Sequence, residues 1–155
     1  MRGLIILAAL VVSAGASGAE NRSISWEHVP DALLRTEVEK LAGPDAIDCG
    51  IVDIRKRKAD DFVKRKSLEC IADARQRGLA MKFGIARLPL GHDVFEVYVR
   101  TKDGQMFLLS HGPHPLEDAA KSWMQRCAFV DVSTRTLLIS GMDCANATQI
   151  SKRPE

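Results

Sequence analysis

The chain has 155 residues, 46% hydrophobic, 27% charged and 5% aromatic, with a formal net charge of +2, the profile of one soluble globular domain. Two independent domains are excluded at this length, because each would have a core too small to offset the entropy of ordering its chain. The composition also excludes disorder, collagen and coiled coil, and 22 basic against 20 acidic residues is too even a balance to make nucleic acid the default partner.

The first nineteen residues read as a signal peptide. Met1-Arg2 supplies the positive start, the nine apolar residues 4–12 an h-region, and Ala14-Gly15-Ala16 and Ser17-Gly18-Ala19 the small residues that a signal peptidase requires. Nine apolar residues fall well short of the roughly 20 that span a bilayer. Cleavage after Ala19 leaves a mature chain expected to be periplasmic or secreted, without a transmembrane segment. Residues 20–145 are expected to form one globular domain, and 146–155 a frayed tail.

In the mature chain, Pro30-Asp31 opens a helical pattern with Leu33, Leu34, Val38 and Leu41 on one stripe, and Gly43-Pro44 closes it. An extended run over 47–54 carries Cys49. A longer helix is predicted over 59–77, with Asp60 and Asp61 in its first turn, Arg75 and Arg77 in its last, and Gly78 as its stop. Its inward stripe reads Ala59, Phe62, Val63, Cys70, Ile71 and Ala74.

The period then changes from 3.6 to 2. Met81, Phe83 and Ile85 alternate with polar or small residues, as do Phe95, Val97 and Val99. Asp103-Gly104 signals a two-residue hairpin turn joining the second of these strands to Met106, Phe107, Leu108 and Leu109. That turn sets Val99 against Leu108, so Val97, Val99, Met106 and Leu108 share a face expected to meet the long helix. A third helix is predicted over 115–125, turning Leu116, Ala120, Trp123 and Met124 inward. A terminal hairpin follows, turning at Ser133-Thr134-Arg135. The fold class is therefore α+β, with two or three helices on one mostly antiparallel sheet of five or six strands, stabilised by two disulfides.

Four cysteines in an exported chain imply pairing, with three possible connectivities. Cys49 lies about 20 Å before Arg55 at 3.3 Å per strand residue, and Cys70 about 18 Å after Lys58 at 1.5 Å per helical residue. A reversal between those points brings the two sulfurs together. The terminal hairpin places Cys127 near Cys144, so the expected pairs are Cys49 with Cys70 and Cys127 with Cys144. No two cysteines have the C-x-x-C spacing that favours zinc or redox chemistry.

No G-x-S-x-G, H-E-x-x-H, P-loop or paired-carboxylate signature is present. Ser110 and His111 are neighbours on a strand and point to opposite faces, while Asp48, Asp53, Glu96 and Asp131 read as isolated solvent-face acids. Two chemical candidates remain. Arg55, Lys56, Arg57, Lys58, Lys64, Arg65 and Lys66, offset only by Asp60 and Asp61, give a local excess of +5 suited to another exported protein or an anionic envelope component, with Tyr98 as an exposed aromatic contact. With a single Tyr and no basic-aromatic alternation, nucleic acid is not the expected partner. The alternative is a zinc or copper site built from His92, His111 and His114 in loops at one sheet end. The first reading is an exported, non-catalytic binding module, such as an inhibitor or accessory subunit, that needs no cofactor.

Overall fold

A computed structural model describes residues 24–55, 60–113 and 119–151. Helix α1 spans Ala32–Ala42 and strand β1 Ile47–Asp53; helix α2 follows at Asp61–Gln76. The remaining strands are β2 Met81–Arg87, β3 Val94–Arg100, β4 Met106–Pro113, β5 Ala120–Val132, β6 Ile139–Cys144 and β7 Thr148–Gln149. They form one seven-stranded sheet in the order β1-β2-β3-β4-β5-β6, with β7 pairing β5. Among the described residues only the β1–β2 pair is parallel, and α2 supplies the crossover that a parallel pair requires. The α+β class holds, with a sheet larger than expected.

Each helix begins after a capping aspartate, and α2 starts at Asp61, two residues later than predicted. The Asp31 carboxylate accepts from the backbone N–H of Leu33 at 2.8 Å, and that of Asp60 from Phe62 at 2.8 Å and Val63 at 3.3 Å. The helices lie on opposite faces of the sheet. Leu34, Val38 and Ala42 of α1 pack with Ile51, Ala86, Phe95, Val97, Val99 and Leu109. Val63, Ile71 and Ala74 of α2 pack with Val52, Met81, Phe83, Ile85 and Tyr98. In β1 the register shifts between Asp48 and Ile51, with Gly50 at φ 78°. This bulge lets Cys49 and Val52 both join the α2 core while Ile51 joins the other.

The predicted face of β3 is corrected. Thr101 donates to Gln105 at 2.9 Å and Gly104 donates back to Thr101 at 3.0 Å, with Gly104 at φ 84°. The connection is thus a three-residue loop, a turn followed by a left-handed glycine, rather than a two-residue turn. Val99 faces Phe107 and Tyr98 faces Leu108. A slip of one residue exchanges the faces: Val97 and Val99 meet α1, and Tyr98 meets the α2 core.

The helix predicted over 115–125 is also corrected. Residues 114–118 lie outside the described residues, and from Ala120 the chain is β5, paired in register with β4 from Ala120 to Cys127. Trp123 lines a cavity on one face while Met124 packs with the α1 core on the other. Adjacent residues serve opposite faces only at period 2, and the pairing offered by β4 overrides the local helical spacing. Beyond Cys127, β5 and β6 lean over α2. Val130, Val132, Leu137 and Ile139 enter its core, Arg75 donates to the Val130 carbonyl and meets Asp131 at 3.4 Å, and Lys64 donates to the Arg135 carbonyl at 3.4 Å.

Both expected disulfides are present, Cys49–Cys70 from β1 to α2 and Cys127–Cys144 between directly paired residues of β5 and β6. Gly141 sits beneath the second. A Cβ there would lie 2.5 Å from Cys127 Sγ and closer still to Cys144 Sγ. The expected frayed tail is corrected over 146–151: Thr148 pairs Met124, and Ile150 donates to the Ser122 carbonyl at 2.8 Å and packs on the α1 core. Residues 1–23, which include the expected signal peptide and its Ala19 junction, lie outside the described residues, as do 56–59 and 152–155. Among the described residues no helix is long and apolar enough to cross a membrane.

Candidate functional site

The strand pairings bring β1's last residue, Asp53, beside Ala86, and also join Arg87 to Val94 and Pro113 to Ala120. Residues 54–55, the start of α2 at Asp61 and the connection 88–93 therefore lie at one end of the sheet. Arg55 ties the end of β1 to the connection 88–93. Its Nε and Nη2 reach Asp53 at 2.9 and 2.8 Å, its Nη1 reaches Asp93 at 3.5 Å, and its guanidinium lies 5.7 Å from the Phe95 ring centre. The hydrogen bond to Asp53 outweighs partial burial and raises the Arg55 pKa. Arg55 is thus a strut, its charge already engaged. Lys56, Arg57 and Lys58 lie outside the described residues.

The second half of the basic segment is on α2. Arg65 and Lys66 approach the Phe62 ring, 5.9 and 5.8 Å from its centre, and Lys66 also meets Glu69 at 3.6 Å. Phe62, expected on the inward stripe, is 43% exposed instead. From the neighbouring connection Leu88 is 46% exposed, and Leu90, at φ 52° in the turn Pro89–Gly91, is 98% exposed. A non-glycine residue in the left-handed region is held there at a cost, and such residues recur at functional loops. Sequence reasoning missed both leucines, because single apolar residues in a connection carry no periodic signal. Tyr98 is corrected in the opposite direction. It is 0% exposed, beneath the Arg75 guanidinium at 5.2 Å, because both faces of β3 are covered.

His92 is exposed, His114 lies outside the described residues, and His111 is half-buried between β3 and β5. His111 Nδ1 is 3.0 Å from Ser122 Oγ and 3.4 Å from Asp31 Oδ2, and the Ser122 hydroxyl donates to Asp31. Ser122 is 2% exposed and its single proton goes to the carboxylate, so it accepts from Nδ1–H of His111. This wiring opposes a nucleophile-and-base pair, in which the imidazole takes the serine proton. The network instead fixes the carboxylate that caps α1. Burial works to raise the Asp31 pKa, but the Ser122 hydroxyl, the Leu33 and Leu34 backbone N–H groups and His111 together lower it below its ordinary value. Among the described residues no group of three or more His, Cys, Asp and Glu side chains is placed to hold a metal ion.

Glu96, expected on the solvent face, is half-buried and paired with Arg87. It borders a cavity of about 350 Å³ with Leu108, Ser110, Trp123, Gln125 and Ala147. Burial lowers the Arg87 pKa. No separated-residue contact of this kind has a local signature, since Asp31 and Ser122 are 91 positions apart and Glu96 meets its partner only through the β2–β3 pairing. Family models, curated protein sequences and solved structures return no match to the chain.

Proposed function

We propose that the mature chain is an exported, non-catalytic binding module that docks peripherally on an anionic phospholipid surface of the cell envelope. The docking end carries Phe62, Leu88 and Leu90, with Arg65 and Lys66 beside Phe62 and Lys64 on the same first turns of α2. What supports this reading above all is Leu90, 98% exposed and held at positive φ on the same sheet end as the cations. Apolar side chains entering the headgroup boundary beside cations attracted to anionic lipid form an interfacial anchor. Fully burying a leucine contributes about 1.5–3 kcal/mol, and each cation near an anionic surface about 1 kcal/mol, so binding is expected to be reversible and weakened by salt. The two disulfides are compatible with export.

Co-sedimentation with phosphatidylglycerol and phosphatidylcholine vesicles tests the reading. Binding is expected only to the anionic vesicles, falling between about 0.05 and 0.5 M salt, and lost in Leu90→Asp and in the triple variant Lys64→Glu, Arg65→Glu, Lys66→Glu. Equal binding to both lipids, or no binding, overturns it and turns attention to an acidic exported protein as the partner.

A further inference from the structure

We infer that the cavity between β3, β4, β5 and the segment before β7 is a binding site for a small organic ammonium with an apolar body. This site lies on the α2 side of the sheet and is independent of the docking end. Its floor is two adjacent rows of paired residues: Glu96, Ser110 and Trp123 in one, Leu108 and Gln125 in the next. Ala147 closes one side. The chain that carries it is fixed before and after, by Ala145 N–H donating to the Arg126 carbonyl at 2.8 Å and by β7 pairing with β5. The Cys127–Cys144 bridge anchors the same segment. The cavity is therefore preformed, and about 350 Å³ is the lower end of the range for small-molecule sites.

The lining sets the chemical class. Trp123, Leu108 and Ala147 offer apolar contact, Ser110 and Gln125 offer hydrogen bonds, and Glu96 is the one charged side chain among the lining residues. Arg87 pairs with Glu96 without itself lining the space, so it orients the carboxylate and partly balances its charge from behind, while the lining itself presents only the acidic group. A carboxylate and an indole lining one cavity can attract a cation by charge and by the ring quadrupole.

The test uses the indole N–H resonances of Trp26 and Trp123 in the oxidised, nitrogen-15-labelled protein, assigned with Trp26→Phe. Phenethylamine is the probe, with 3-phenylpropanoate and 3-phenylpropanol as anionic and neutral counterparts. The Trp123 resonance is expected to shift saturably with the amine and not with the acid. Glu96→Gln is expected to weaken the amine about tenfold, or about 1.4 kcal/mol. Because removing Glu96 leaves Arg87 without its partner, Ala147→Trp serves as the second variant; it fills the cavity from an exposed position, keeps the ion pair, and is expected to abolish the shift at unchanged melting temperature. No saturable Trp123 shift with the amine, equal affinity for amine and alcohol, or full binding in Ala147→Trp overturns the inference. None of these results bears on vesicle binding, so the two proposals fail separately.

Discussion

Replacing Asp31 with Ala removes one carboxylate that serves two elements. One oxygen caps α1 through Leu33, and the other accepts from Ser122, itself 2% exposed and in contact with His111. Losing an N-cap costs about 0.5–2 kcal/mol, and orphaning a buried hydroxyl about 1–3 kcal/mol. The variant is expected to lose about 2–4 kcal/mol in urea denaturation followed by circular dichroism, with an unchanged denaturant slope. Ser122→Ala in the Asp31→Ala background should then cost less than in the wild type, since the bond it removes is already gone. The charge adds a pH signature. The folded-state pKa of Asp31 lies below its ordinary 3.8, so the ionised form's stabilisation is present above about pH 4 and is lost as pH falls through the folded value. The stability difference between wild type and Asp31→Asn should accordingly narrow on acidification below that range. A loss under about 0.5 kcal/mol in Asp31→Ala, the size of an ordinary surface change, would refute the reasoning by showing that α1 docks without its cap network.

Three further outcomes are expected. Gly141→Ala places a methyl 2.5 Å from the Cys127 sulfur, so the Cys127–Cys144 bridge should fail to close, two thiols should titrate, and about 2–4 kcal/mol of stability should be lost. Gly104→Val, at φ 84°, strains the β3–β4 loop and should lower the melting temperature by an amount equivalent to about 1–2 kcal/mol. Leu90→Gly relieves the left-handed backbone at φ 52° and should stabilise the fold by up to about 1 kcal/mol while weakening phosphatidylglycerol binding, a gain in melting temperature coupled to a loss of affinity.

Much of the fold was legible because its punctuation is local. Asp31, Gly43, Asp60 and Gly78 mark helix ends by chemistry carried within a turn of each residue, and strand and helix rises were sufficient to pair Cys49 with Cys70. Errors arose where one residue decided the outcome. At 101–105 the glycine that reads as half of a two-residue turn is instead the left-handed third residue of a longer loop, and that single position exchanged the faces of β3, while Tyr98 is buried because helices cover both faces. At 120–125 apolar spacing fits a helix as well as a strand, and only the β4 partner chooses between them. Long-range polar contacts left no trace in the sequence. The Asp31–Ser122–His111 network and the Arg87–Glu96 pair join residues whose neighbourhoods read as an ordinary cap and ordinary exposed acids. The basic segment was visible as composition, but its division into an internal strut at Arg55 and outward cations around Phe62 required the fold.

The most direct test of the docking claim is amide hydrogen exchange, resolved by peptide, with and without saturating phosphatidylglycerol vesicles. The account predicts slowed exchange confined to the start of α2 at residues 61–66 and the connection at 88–93, with α1 and the β5–β6 hairpin unchanged. Protection centred on α1 or on that hairpin, with exchange at 88–93 unaltered, would contradict it.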